Sequence, residues 1–251
     1  MTTLLLASAS PARLSTLRSA GLDPQVRVSS VDEDAVLAEG RERFGALEPA
    51  DAVLLLAQAK AEDVARSLEQ TVAAADDTDD ADDADDADDA LAAASASVSM
   101  AVSVSVAGET LLPDLVVGCD SMLELDGEIF GKPADAETAV ARWRTMRGRS
   151  GVLHTGHWVV DLRDPEDGGT GGTLGATSST TVHFAQVSDE EIEAYVATGE
   201  PLAVAGAFTL DGRGGAFVTG VEGDHHGVVG ISLPLLRELL DQVGVRWTDL
   251  W

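Results

Sequence analysis

The chain has 251 residues, and 16 Lys and Arg against 44 Asp and Glu give it a formal charge of −28. Phosphate backbones and anionic membranes require clustered Lys and Arg, so nucleic-acid polymers and membrane surfaces are excluded as partners. An apolar fraction of 45% suffices for a core, and no apolar run approaches the length of a membrane span. A single cysteine, Cys119, excludes an internal disulfide and suits a reducing cytoplasm.

In chain order, Thr3 to Ala7 reads as a short buried strand. Ser10 is a good N-cap and Pro11 fits a first helical position, so a helix follows to about Ala20, with Gly21 placed to stop it. Val26 to Val31 reads as a strand, and Asp32-Glu33-Asp34 as an acidic loop after it. A helix is expected from Pro49 to about Leu68, with Val53, Leu56, Ala57, Val64 and Leu68 on one face and Lys60 falling on that same face.

From about residue 71 to residue 110 the character changes. Ten Asp lie between positions 76 and 89, mostly in an Asp-Asp-Ala repeat that matches neither helical nor strand periodicity and repels itself. Ser95 to Val106 then alternates small polar and apolar residues, which fits an edge hairpin or, beside a polyacidic block, a low-complexity insertion. The expectation is one domain over 1–251, interrupted by an insertion.

Leu115 to Cys119 reads as a buried strand ending at Asp120, and Asp126-Gly127 as the turn of a hairpin between Met122–Leu125 and Glu128–Phe130. Asp135 caps a helix through Met146. Val152–Leu162 and Thr180–Val187 read as strands around a Gly/Thr-rich loop, and Ser188 to Glu191 as a capping box opening a helix that ends near Gly199. Short strands are expected at Ala203–Leu210 and Ala216–Val221, a loop at Glu222–Gly230, and a last helix from Pro234 to Val243. Strands and helices alternate without a clean repeat, which predicts an α/β fold: a mixed sheet with flanking helices.

Several residues carry potential chemistry. Ser8, Ser10 and Arg13 surround a helix N-terminus, where free N–H groups, hydroxyls and a guanidinium suit phosphate oxygens. An ordinary Ser-Pro cap with a solvent-facing Arg accounts for the same residues, and the Gly-rich pattern of a P-loop is absent. Asp120 at a strand end is placed for catalysis or for a turn. Only two of the sixteen basic residues are lysine, Lys60 and Lys132. Lys60 on an apolar helix face calls for an anionic partner, and Lys132 past a tight hairpin returns toward the edge that carries Asp120. Glu33 is a carboxylate of the kind Mg²⁺ prefers, or part of a solvated acidic loop. Asp224-His225-His226 echoes phosphoesterases that use Asp and His ligands, but dispersed Asp ligands are not evident, and no ligand-spaced His/Cys cluster for zinc is present.

In combination, the chain resembles the Maf family of nucleotide pyrophosphatases. The resemblance rests on Leu6-Ala7-Ser8-Ala9-Ser10-Pro11-x-Arg13, Lys60-Ala61, Gly118-Cys119-Asp120-Ser121 and Gly131-Lys132-Pro133. It continues through Gly151-x-x-His154-Thr155-Gly156, Thr181-Val182-x-Phe184 and Tyr195-x-x-Thr198-Gly199-Glu200-Pro201. It ends with Ala205-Gly206-Ala207-Phe208 and Gly223-Asp224-x-x-x-Val228-Val229-Gly230. The matches occur in family order and miss only the segment from about 71 to 110.

The resemblance implies hydrolysis of a nucleoside triphosphate to monophosphate and diphosphate with a divalent cation, Mg²⁺ or Mn²⁺. It also implies a two-lobed α/β fold around a central cleft, similar to inosine triphosphatases, with a homodimer left open. The family's catalytic Asp maps onto Asp120, and its phosphate- and metal-handling residues onto Ser10, Arg13, Glu33, Lys60 and Lys132, with Ser8 beside them. Glu33 and Asp120 are the expected metal ligands. Asp211 stands where many members carry Gln, and so bears on metal binding or base recognition. The competing expectation is a non-catalytic nucleotide-binding regulator of septum formation.

Overall fold

The computed structural model describes residues 2–79 and 112–251. Most of the acidic repeat and all of the Ser/Val alternation lie outside them. Seven strands form one mixed sheet in the order β2-β1-β3-β5-β6-β7, with β4 paired to β3 off this path. The strands are β1 (Leu4–Ala7), β2 (Gln25–Val26), β3 (Leu115–Leu125), β4 (Glu128–Phe130), β5 (Ser150–Asp161), β6 (Thr173–Phe184) and β7 (Val218–Glu222). β1 runs parallel to β2 and β3, and the other pairs are antiparallel. The seven α-helices among the described residues are α1 (Pro11–Ser19), α2 (Glu33–Phe44), α3 (Pro49–Asp79), α4 (Ala136–Met146), α5 (Asp189–Ala197), α6 (His225–Val229) and α7 (Leu233–Gln242). The expected mixed α/β sheet is therefore what forms.

Strand alternation sends successive β3 side chains to opposite faces. On one face, Leu115, Val117 and Cys119 join Leu17 of α1 and Leu236, Leu239 and Leu240 of α7. Farther along the same face, Leu123 and Leu125 join Trp143 and Met146 of α4 and Ile192 of α5. Between these two clusters the same face carries Ser121 and, opposite it on β5, Thr155. A polar belt thus separates two apolar clusters.

The other face belongs to α3. Val116 and Val160 pack on Ala61, Val64 and Ala65, while Met122 packs on Val53 and Leu56 of α3 and Leu37 of α2. Glycines let this helix lie directly on the strands. A Cβ at Gly118 would meet the Ala57 carbonyl oxygen and lie 2.9 Å from Ala61 Cβ, and one at Gly156 would lie 2.7 Å from the Leu54 nitrogen. Gly118 and Gly156 serve here as points of close approach.

Several expectations need correction. Asp120 does not end its strand; β3 continues five residues beyond it to Leu125. The Val26–Val31 strand shrinks to Gln25–Val26, and Asp32 to Asp34 open α2 rather than form a loop, with Asp32 Oδ1 accepting from the Ala35 N–H at 3.0 Å. α3 runs past Leu68 to Asp79, into the start of the expected insertion. Ala203–Leu210 is not a strand but two 3₁₀ turns, Glu200–Ala203 and Ala205–Ala207, with φ of 70° at Gly206 and 60° at Ala207. The buried Trp143 indole donates to the Ala207 carbonyl at 2.7 Å, and this tertiary bond holds the left-handed turn. Glu222–Gly230, expected as loop, contains α6.

Candidate active site

Parallel pairing of β1 with β3 sets Ala7 opposite Gly118. β1 stops there, so Ser8 and the start of α1 emerge at the level of Asp120 and Ser121. Asp120 is mid-strand in β3 yet stands level with the carboxyl end of the neighbouring strand, where open α/β sheets place their chemistry. Asp120 thus lies beside the end of β1 and not, as expected, at the end of its own strand.

Asp120 points to the α3 face, opposite Gly156. Because Gly156 and Gly118 bring α3 close, Lys60 reaches it: Nζ lies 2.6 Å from Asp120 Oδ1 and 2.7 Å from Glu33 Oε1. Glu33 comes from the first turn of α2, which packs on α3 through Leu37. Asp120 is 8% exposed, and burial raises its carboxyl above the usual range, opposed by the charges of Lys60 and Arg13. Two carboxylates converging on one ammonium form a compact, net-negative oxygen donor set.

Arg13, on the first turn of α1, is tied down on the other side. Its Nε donates to the Gly230 carbonyl at 2.8 Å, Nη1 to Ser8 Oγ at 2.9 Å and Nη2 to Ser121 Oγ at 3.1 Å. Ser8 Oγ also accepts from the Ser10 N–H at 3.2 Å, and Ser10 Oγ accepts from the Arg13 N–H at 3.4 Å as the N-cap of α1. Arg13 is therefore not the solvent-facing residue that a plain Ser-Pro cap would allow.

Two predicted site residues make no hydrogen bond or ion pair to this group among the described residues. Lys132 is exposed on the β4–α4 connection and has no hydrogen bond or ion pair among the described residues. Asp211 is exposed on a loop strapped by Glu200, whose carboxylate accepts from Tyr195 Oη at 3.0 Å and from the Arg213 and Gly214 N–H groups at 3.2 and 3.1 Å. Asp211 itself contacts none of Glu33, Lys60 or Asp120 through a hydrogen bond or ion pair.

Asp224, His225 and His226 do cluster. Asp224 caps α6, however, with Oδ1 accepting from the His226 N–H and Oδ2 from the Gly227 N–H, both at 3.1 Å. Burial works against its charge, but donors from Ser232, His226 and Gly227 outweigh it and hold the carboxyl below the usual range. Its oxygens are committed to the helix they cap.

Sequence reasoning passed over the polar belt. Ser121 Oγ lies 2.9 Å from Thr155 Oγ1, which donates to the Gly227 carbonyl at 2.8 Å. His157 Nδ1 is 3.0 Å from the Thr155 carbonyl, and its Nε2 accepts from the Ser232 N–H at 2.7 Å. Burial, with Arg13 nearby, pushes His157 down to about 4, so it is neutral with its proton on Nδ1. The available signal was a run of hydroxyls and one His at core positions of otherwise apolar strands, each of which needs a partner when buried.

Comparison with known proteins adds a family. The model of the family described as Maf-like protein matches residues 3–243. A nucleoside triphosphate pyrophosphatase of Streptomyces avermitilis is 46% identical over 248 residues, covering 99% of this chain and 94% of the relative. Relatives bearing the same name in Mycobacterium ulcerans and Nocardia farcinica are 46% and 48% identical, covering 100% and 99% of this chain and 97% and 96% of their own. No helix among the described residues is long and apolar enough to cross a membrane.

Proposed function

This chain belongs to the Maf-like protein family, and from that premise we propose that it hydrolyses nucleoside triphosphates to nucleoside monophosphate and diphosphate. The observation that carries the reading is identity of about 46% to relatives named nucleoside triphosphate pyrophosphatase across nearly the whole chain. The arrangement of Glu33, Lys60, Asp120 and Arg13 supports it. A triphosphate carries about four negative charges, and an acidic protein holds it only where positive charge is concentrated locally.

A hard divalent cation fits the carboxylate oxygens of Glu33 and Asp120, since Mg²⁺ and Mn²⁺ favour oxygen donors. When bound, the cation would neutralise charge on the phosphate oxygens. The remaining work falls to the chain itself. Asp120, made more basic by burial, orients and deprotonates the water that attacks the α-phosphorus in line. Lys60, whose ammonium already bridges both carboxylates, stabilises charge developing on the departing diphosphate. Arg13 and the hydroxyls of Ser8 and Ser10 receive phosphate oxygens at the α1 N-terminus. Lys132, exposed and unpaired among the described residues, supplies a further mobile positive charge, and Asp211 addresses the base. The catalytic reading is favoured over the non-catalytic regulator because a binder has no use for a buried carboxylate beside a lysine.

The test is incubation of the purified protein with a nucleoside triphosphate panel and Mg²⁺ or Mn²⁺, with chromatography of the products. Monophosphate plus diphosphate is expected. Nucleoside diphosphate plus orthophosphate, or no turnover of any nucleotide, would refute the reading.

A further inference from the structure

We infer that Ser121 and Thr155 are positioning residues that fix the Arg13 guanidinium for the triphosphate, through a hydroxyl relay anchored on the α6 backbone. The inference rests on the proposed function, in which Arg13 receives phosphate oxygens. Its basis is the direction of each hydrogen bond.

Thr155 is fully buried and has one hydroxyl proton. The Gly227 carbonyl, 2.8 Å away, can only accept, so Thr155 spends its proton there. The 2.9 Å bond between Thr155 and Ser121 must then run from Ser121 to Thr155. With its proton committed, Ser121 Oγ presents lone pairs to Arg13 Nη2 at 3.1 Å. One buried carbonyl thereby sets the polarity of the whole chain of bonds, and reversing any link would leave two donors or two acceptors facing each other.

The consequence for Arg13 is a fixed plane. Of its five N–H groups, one is held by Gly230, one by Ser8 and one by Ser121, leaving two without partners among the described residues. A guanidinium pinned by three acceptors, on the β1–α1 connection, on β3 and at the α6 end, has little rotamer freedom left to lose when a phosphate arrives. Ser8 Oγ, accepting from both Arg13 and the Ser10 N–H, keeps its proton as a donor for the same ligand. The belt between the two apolar clusters therefore has a use beyond satisfying buried hydroxyls.

The experiment measures diphosphate release and thermal melting for Ser121→Ala, Ser121→Thr, Thr155→Val and Thr155→Ser, alone and combined with Arg13→Ala. Ser121→Ala and Thr155→Val are expected to raise KM about tenfold with kcat changed less than about threefold, the effect of losing one link to a charged group. The hydroxyl-retaining Ser121→Thr and Thr155→Ser should return KM to within about threefold of wild type. In the Arg13→Ala background, Ser121→Ala should change KM by less than about twofold, because a relay acting only through Arg13 has nothing left to position. A structural role predicts the opposite: lower melting temperatures, and effects that carry over into that background. If Thr155→Val does not fold, Ser121→Ala decides alone. An unchanged KM in folded Ser121→Ala, or additive effects with Arg13→Ala, overturns the relay while leaving the proposed function standing. Wild-type protein without diphosphate release overturns the proposed function and the relay with it, whereas Arg13→Ala with wild-type KM overturns the relay alone.

Discussion

Lys60 is the only described cation bonded to Asp120, and it serves Glu33 as well. Its replacement by Met keeps the aliphatic stem along α3 but leaves two carboxylates facing each other without a counter-charge. Diphosphate release should fall by about 10² or more. Lys132→Met removes a charge with no hydrogen bond or ion pair among the described residues, so the melting temperature should stay put while KM rises. Matching kinetic losses accompanied by a melting shift in Lys132→Met would contradict that division. Asp120→Asn tests the base itself. Turnover should drop by about 10² or more. The fold should survive, because Lys60 keeps Glu33 as its counter-charge at 2.7 Å. A folded Asp120→Asn enzyme with wild-type turnover would remove Asp120 from the mechanism.

At the scale of elements, the β5–β6 connection shows how one carboxylate shapes a loop. Asp161 closes β5, is 1% exposed, and accepts from Arg163 Nε at 2.8 Å and Nη2 at 2.9 Å and from the Thr170 N–H and hydroxyl at 2.8 Å each. Burial alone would raise its pKa, but these donors outweigh it and hold the carboxyl at about 2. A depressed folded-state pKa contributes stability that is present above the ordinary Asp range and lost as pH falls through the folded value. Asp161→Asn should therefore cost about 2 kcal/mol at neutral pH, with the gap to wild type closing between about pH 4 and pH 2. Chemical denaturation across that range checks it, and a gap independent of pH would rule out the ion pair as the cause. Caps and turns of this local kind were legible in the sequence: Ser10, Asp135 and Ser188 cap the helices expected of them, and Asp126-Gly127 makes the expected hairpin. α2 was not legible, because among its twelve residues only Leu37 and Gly40 are buried and no apolar stripe marks it. The false strand at Ala203–Leu210 had suitable alternation, but the Trp143 indole and two left-handed residues decide its shape from outside the segment. Asp120 looked like a strand end because Cys119-Asp120-Ser121 breaks an apolar run. The break marks where β1 stops, which pairing reveals and local sequence does not.

At the scale of the whole molecule, a charge of −28 opposes the approach of a triphosphate, while the candidate site must attract it. Distance separates the two effects. Bonds of 2.6 to 3.1 Å around Lys60 and Arg13 lie within any Debye length, whereas the net charge acts over the molecular dimension. The screening length is about 30 Å at 0.01 M salt and about 8 Å at 0.15 M, so the global repulsion is felt mainly at low salt. Residues 80–111 contribute seven Asp and Glu109 to that charge and no Lys or Arg. Every residue assigned to the candidate site lies outside them. Replacing 80–111 by a Gly/Ser linker, which keeps α3 whole to Asp79, should preserve hydrolysis. Loop closure varies by only about 0.6 kcal/mol per doubling of length, so the length chosen for the linker matters little. The variant should show a higher kcat/KM than wild type at 0.01 M salt and an equal one at 0.15 M, as expected when association is slowed by a screened field. Equal values at both salt concentrations would mean that the segment's charge does not reach the site. An insoluble variant, or a folded one without activity, would make the segment part of the working structure.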